Sequence, residues 1–206
     1  MIFRASSLGK IMTNPRSKSE VLSETAKSYI KGLAKQNFYN YKTTIDTKQM
    51  RKGIEFEDQS IELVNSVMLK NFKKNEERKT RGHLTGHADI ITDKSIIDIK
   101  TSWSLETFPA FEEDADDKLY EWQLRAYMYL YEKPVSALIY CMIDTANEYL
   151  SEWDNLEIHR VSHIEPEKRI TLIEYMRDED LEQLMIERLH HASELYAQYI
   201  NQLNNK

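Results

Sequence analysis

Asp89 and Asp98 lie nine positions apart, and Lys100 follows the second by two. Thr92-Asp93-Lys94-Ser95 separates two apolar, β-branched runs, the pattern of a turn joining strands expected over 83–92 and 95–102. Such a hairpin brings the two aspartates together. Side chains two apart on a strand share a face. Asp98 and Lys100 therefore share one face, and Ile97, Ile99 and Thr101 the other. Two carboxylates and an ammonium among buried neighbours suit a divalent cation with a positively charged helper, equipment for cutting a phosphodiester. An Asp-x-Lys triplet alone is common on solvated strand edges, so the chemistry depends on what other elements add.

Two elements add to it. Gly53-Ile54-Glu55-Phe56-Glu57 falls in an amphipathic helix expected over about 48–70, with Ile54, Ile61, Val64, Val67 and Met68 apolar. Glu57 sits on the face of Ile54, Ile61 and Val64 by helical spacing. A carboxylate on a buried face requires a partner, and a bound cation is one. Glu55 and Asp58 are expected on solvated faces. Later, Trp122-Gln123-Leu124-Arg125-Ala126-Tyr127 places Gln123 and Tyr127 on one helix face. A glutamine amide there can orient a lysine or a water. Taken singly, an inward glutamate is often paired with arginine, and Gln-x-x-x-Tyr is an ordinary helix surface.

The elements that must position these groups follow from periodicity and caps. A short helix is expected after Arg4-Ala5-Ser6-Ser7-Leu8, with Ser6 or Ser7 as N-cap. A second spans about 19–37, and Lys73–Arg81 reads as a first, exposed strand. Asp116 or Asp117 starts the helix carrying Gln123, and Pro134 ends it. Val135–Ile143 is a near-continuous apolar run, as in a strand buried on both faces. Thr145-Ala146-Asn147-Glu148 has capping-box spacing and predicts a helix. Arg169–Tyr175 alternates as a strand, and about 180–203 forms a long amphipathic helix. The expected fold is α/β: a mixed central sheet with flanking helices, N-terminal helices and a long C-terminal helix. One domain over 1–206 would comprise a helical part at 1–72, a core at about 73–145 and a helix–strand–helix at 146–206.

The sequence has no apolar run near the ~20 residues of a membrane span. Met1–Ser6 lacks a signal-peptide core. The single cysteine, Cys141, lies in the apolar run Ala137–Met142. It reads as a buried thiol, which removes support for disulfides, zinc clusters and iron–sulfur clusters. A reducing cytoplasm is the expected location. Net charge is −6, but residues 1–81 carry 17 Lys/Arg against 9 Asp/Glu, and residues 82–206 carry 11 against 25. The N-terminal third therefore has the charge to face a polyanion.

Together, Glu57, Asp89, Asp98-Ile99-Lys100 and Gln123 with Tyr127 occur in the order and expected secondary structure of the PD-(D/E)xK nuclease superfamily. The chain resembles its phage-recombinase branch, the YqaJ-type or lambda-exonuclease-like enzymes. Gly53-x-x-x-Glu57 resembles that branch's helical glutamate motif. Ala5-Ser6, with Arg4 beside it, resembles the A-S motif for a 5′-phosphate. Gln123-x-x-x-Tyr127 is shared with RecB-type nucleases. The resemblance covers residues 4 to about 130. It departs at Ala88-Asp89, where Pro-Asp is the pattern, and at Asp98, where glutamate is more usual.

The resemblance implies a restriction-endonuclease-like core holding Mg²⁺, or Mn²⁺, through Glu57, Asp89, Asp98 and the carbonyl of Ile99. Lys100, Asp89, Asp98 and Gln123 would act in catalysis, supported by Tyr127, with Gln123 holding Lys100 or the water. Arg4, Ser6 and Ser7 would bind the 5′-phosphate of DNA. It further implies 5′→3′ digestion of linear duplex DNA to leave 3′ overhangs, a homo-oligomeric ring and a single-strand annealing protein as partner. The competing expectations are a RecB-like single-strand nuclease and a non-catalytic DNA-binding protein of the same fold.

Overall fold

The computed structural model describes residues 1–43 and 46–206. In chain order the elements are β1 (Phe3–Arg4), a 3₁₀ turn at Ala5–Ser7, α1 (Leu8–Ile11), α2 (Glu24–Phe38), α3 (Lys48–Glu55) and α4 (Glu57–Met68). There follow β2 (Lys79–Arg81), β3 (Leu84–Gly86), β4 (Ile90–Ile91), β5 (Ser95–Ser102), α5 (Glu112–Ala115) and α6 (Lys118–Tyr131). The chain continues through β6 (Val135–Met142), β7 (Ile170–Met176) and α7 (Glu179–Asn204).

The larger sheet has the order β4-β5-β6-β7. β5 and β6 are parallel, with Asp98 opposite Leu138 and Lys100 opposite Tyr140. Parallel neighbours need a crossover, and α6 lies in it. β5 alternates as its sequence requires. Ile97 and Ile99 enter one core with Ile61 and Val64 of α4, while Ile96 enters another with Leu124 and Tyr127 of α6. The Asp98–Lys100 face is thereby turned to α6. β6 is buried along most of its length, as its near-continuous apolar run predicts, and Cys141 is a free, fully buried thiol. A smaller sheet, β1-β3-β2, carries the N-terminal strand. Among the described residues no helix is long and apolar enough to cross a membrane.

Several boundaries differ from expectation for physical reasons. The helix expected over about 48–70 breaks at Phe56, which has φ −101° and ψ 13°. The break uncouples the faces of α3 and α4, so Ile54, expected inside, is 74% exposed, and Lys52 is buried instead. The strand expected over 83–92 divides into β3 and β4, which join different sheets. Within Lys73–Arg81 only β2 forms a strand, with an isolated bridge from Lys74 to Ile90. The helix expected after Thr145 is absent. Residues 147–169 contain three short 3₁₀ turns, so the C-terminal part is not helix–strand–helix. Thr145 is buried and accepts from Lys52 Nζ at 2.8 Å while donating to the Trp103 carbonyl at 3.0 Å. Its hydroxyl is used across the fold and not as a cap. Asp117 caps α6 as expected, Ser7 makes no side-chain cap bond, and Ser23 and Asp178 cap α2 and α7.

Candidate active site

Glu57, Asp89, Asp98, Ile99, Lys100 and Gln123 line one cleft of about 560 Å³. They arrive from four segments: α4, the gap between β3 and β4, β5 and α6. Glu57 is the first residue of α4, placed there by the break at Phe56. Asp89 stands in the gap between β3 and β4, and its Oδ2 accepts the Ile99 N–H at 2.7 Å. The carboxylate takes the place of a ladder acceptor where β4 has ended. Asp98 is 1% exposed, and Gln123 Nε2 donates to its Oδ1 at 2.9 Å. The same Nε2 donates to Tyr127 Oη at 3.1 Å. Gln123 therefore positions Asp98, where Lys100 or a water was expected as its partner.

Asp98 Oδ2 lies 2.6 Å from Lys100 Nζ. The two form a buried ion pair, with the Asp98 side chain 1% exposed. Burial first, and the facing Asp98 next, hold the Asp89 carboxyl well above the usual range. Burial opposes the Lys100 ammonium, but Asp98 and then Asp89 outweigh it and keep Lys100 above the ordinary lysine value. An ammonium so held stabilises negative charge and is poorly suited to removing a proton. Two carboxylates about 4 Å apart repel by about 4 kcal/mol at an effective dielectric near 20. Such a group favours cations. Its donors are hard oxygens, which fit Mg²⁺ or Mn²⁺ and not zinc. Among the described residues no three Asp, Glu, His or Cys side chains are gathered closely enough to hold a metal ion by themselves. Glu57 is turned to Lys74 Nζ at 3.0 Å.

Two neighbours of the cleft had only weak sequence signals. Lys74 lies in an expected strand among many charges, and nothing local ties it to Glu57. Tyr120 precedes Gln123 by three residues on α6, and its ring lies 4.8 Å from Lys100 Nζ, within cation–π range. Helical spacing from Gln123 would have found it. Glu55, expected to be solvated, is exposed but accepts a hydrogen bond from Tyr149 Oη.

Arg4, Ser6 and Ser7 do not line the cleft. Arg4 and Ser6 are exposed, and Ser7 is half-buried. Ser7 precedes a helix of four residues and makes no side-chain cap bond. A helix this short offers no anion site at its start. Ala5 is buried, next to Gly86: a Cβ added at Gly86 would meet Tyr127 Cε1 at 2.8 Å, Leu130 Cδ1 at 2.9 Å and Ala5 Cβ at 3.0 Å. Gly86→Ala must push Tyr127, and through it Gln123 and Asp98. We expect a stability loss of about 1–3 kcal/mol together with a lower kcat. Urea unfolding beside single-turnover rates checks this, and an unchanged rate in the folded variant would disconnect Gly86 from the site.

The fold and the cleft define a restriction-endonuclease-like nuclease architecture: a mixed sheet presenting Asp98-Ile99-Lys100 to a crossover helix, with carboxylates from two further segments. No family model matches the sequence, and no curated protein sequence does. Among solved structures, a phage-related exonuclease from Haemophilus somnus 129PT superposes with a TM-score of 0.92 at 30% identity, covering 98% of this chain and 96% of that one. The alkaline exonuclease LHK-Exo from Laribacter hongkongensis superposes with a TM-score of 0.73 at 13% identity over 99% of this chain and 92% of its own. The same enzyme in complex with dAMP gives 0.71 at 14% identity, with the same coverage. The chain belongs to the family of phage-related, lambda-exonuclease-like nucleases.

Proposed function

We propose that this protein is a Mg²⁺-dependent deoxyribonuclease that digests linear duplex DNA from 5′ ends, leaving 3′ overhangs for recombination. The observation that carries the reading is the gathering of Glu57, Asp89, the 1%-exposed Asp98 and the Lys100 ammonium in one cleft. Family membership supports the nuclease class. Glu57, Asp89, Asp98 and the Ile99 carbonyl would hold Mg²⁺, with Mn²⁺ as a substitute. When bound, the cation lowers the pKa of a water and offsets charge on the scissile phosphate.

The remaining work falls to the chain. Lys100 holds its positive charge against the phosphate oxygens as negative charge builds on them. Gln123 fixes Asp98 through Oδ1, leaving Oδ2 beside the Lys100 ammonium, and Tyr127 fixes the amide. Arg4, Ser6 and Ser7 are retained as the proposed 5′-phosphate contact on the strength of the A-S motif. A cytoplasmic homo-oligomeric ring and an annealing partner complete the reading.

The test is digestion of a linear duplex labelled at one end, with Mg²⁺ and with EDTA, using 5′-phosphoryl, 5′-hydroxyl and covalently closed substrates. We expect digestion only with metal, faster from the phosphorylated end, and none of the closed circle. Equal hydrolysis in chelator removes the metal. Equal rates on all three substrates mean an endonuclease, and binding without cleavage means a DNA-binding relative.

Lys74 gives a sharper prediction. An exposed ion pair is worth about 0.2–1 kcal/mol, and a cation approaching Glu57 must compete with it. Lys74→Met is expected to tighten Mn²⁺ binding by up to about fivefold, read by titration calorimetry without DNA. Unchanged or weaker binding would remove Glu57 from the metal set or make Lys74 its support.

A further inference from the structure

The chain is acidic overall, yet no Asp or Glu occurs between Glu24 and Asp46, and none between Glu194 and Lys206. The fold brings these two stretches together. α2 packs on α7, with Asn37 Nδ2 donating to Tyr196 Oη at 2.8 Å. Between them lies a groove of about 360 Å³ lined by Lys31, Lys35, Tyr39, Tyr199, Gln202, Leu203 and Lys206. None of the cleft carboxylates borders it.

The lysines of α2 fall at one-turn intervals, and they are not alike. Lys27 is neutralised by Glu20 at 2.7 Å and Glu24 at 2.8 Å. Lys31 and Lys35 are exposed and form no ion pair among the described residues. Like charges four apart on a helix are mildly destabilising, so nothing in the fold itself rewards their placement together. The Lys31 ammonium lies 5.9 Å from the centre of the Tyr199 ring. Tyr39 is 56% exposed at the end of α2, beside Phe38 at 39% and Tyr41 at 42%.

Ammonium groups without an ion-pair partner, in a groove lined by no Asp or Glu side chain, favour a polyanion. Exposed aromatic rings add a demand for flat, apolar faces. Duplex DNA hides its base faces in the stack, whereas a single strand offers them for stacking beside its phosphates. We propose that the groove between the C-terminal ends of α2 and α7 binds single-stranded DNA, separately from the catalytic cleft. Lys31 and Lys35 take the phosphates, and Tyr39 takes a base. Under the proposed activity, a single strand is what digestion leaves, but the binding surface is argued from its own residues and fails or stands apart from the cleft chemistry.

The test uses the full chain in EDTA and a fluorescein-labelled oligothymidylate, followed by anisotropy over a range of salt. Lys31→Gln with Lys35→Gln is expected to weaken binding about tenfold at low salt, and to reduce the slope of log K against log salt by about 1.4, near 0.7 per lost phosphate contact on a single strand. Tyr39→Ala is expected to weaken binding at least about fivefold with the slope retained, since stacking is uncharged. With Mg²⁺, cleavage of a short duplex stays at the wild-type rate in all three substitutions. Unchanged affinity and slope in the double variant overturn the proposal. So does a change of oligomeric state in sedimentation without a change in affinity, which would make the groove a contact between copies of the chain.

Discussion

Lys100→Ala is expected to lower kcat by roughly 10²–10³-fold, the usual cost of removing one group aimed at charge that develops in the transition state. Duplex binding should change little, because the ammonium is engaged by Asp98 at 2.6 Å and sits over Tyr120 inside the cleft. A loss confined to kcat marks a group that acts in the transition state and not in the ground state. A second readout separates chemistry from collapse. Without the ammonium, Asp89 and Asp98 face each other with one positive neighbour fewer, so the metal-free variant should lose stability. Mg²⁺ should then raise its Tm by more than it raises the wild-type Tm. Single-turnover rates at saturating Mg²⁺ and thermal scans give both quantities. A kcat within about threefold of wild type would leave Asp98-Ile99-Lys100 without the role argued from transition-state binding.

Lys52→Met is expected to cost about 2–4 kcal/mol of stability, because it strips donors from buried oxygens while keeping similar volume. Lys52 Nζ donates to the carbonyls of Trp103 at 2.9 Å and Ile143 at 2.7 Å and to Thr145 Oγ1 at 2.8 Å. It thus ties α3 to the segments that leave β5 and β6. Burial lowers this ammonium from the ordinary lysine value of 10.5 to about 8, against an opposing pull from Asp144. Below about 8 the folded and unfolded chains both carry the proton; between about 8 and 10.5 the unfolded chain carries more of it. Raising the pH through that window therefore favours the folded wild type, and the margin over Lys52→Met should widen. Urea unfolding on both sides of pH 8 measures it. A loss under about 1 kcal/mol would mean that water satisfies the abandoned carbonyls.

The central half of this architecture was legible because its signals are local. β5 alternates from Ile97 to Lys100, the Thr92–Ser95 turn closes as expected with Thr92 N–H donating to the Ser95 carbonyl at 2.9 Å, and Gln123 and Tyr127 share a helix face. The illegible parts are tertiary. The apolar period of Ile54, Ile61 and Val64 runs through Phe56 without a flaw, so nothing local announces the break between α3 and α4. Lys52 reads as one more solvated lysine until two distant carbonyls and Thr145 surround it. Thr145 has the spacing of a cap, and only its contacts with Lys52, Trp103 and His159 show why no helix starts there. Glu57 is found by helical spacing, ahead of its likeness to a family motif, while its pairing with Lys74 depends on how the chain at 70–78 returns past α4.

Asp89 has a second task that affects how its variants are to be interpreted. β4 is two residues long, and the Ile99 N–H beyond it is occupied by the Asp89 carboxylate. A free N–H at the margin of a sheet is a template on which another chain can pair, and short margins are one way proteins avoid that. Asp89→Ala therefore opens the sheet to self-association while it removes a candidate ligand, and inactivity in that variant would mix aggregation with lost chemistry. Asp89→Asn keeps an acceptor for the Ile99 N–H and removes only the charge, which makes it the substitution whose rate reports on the cleft alone.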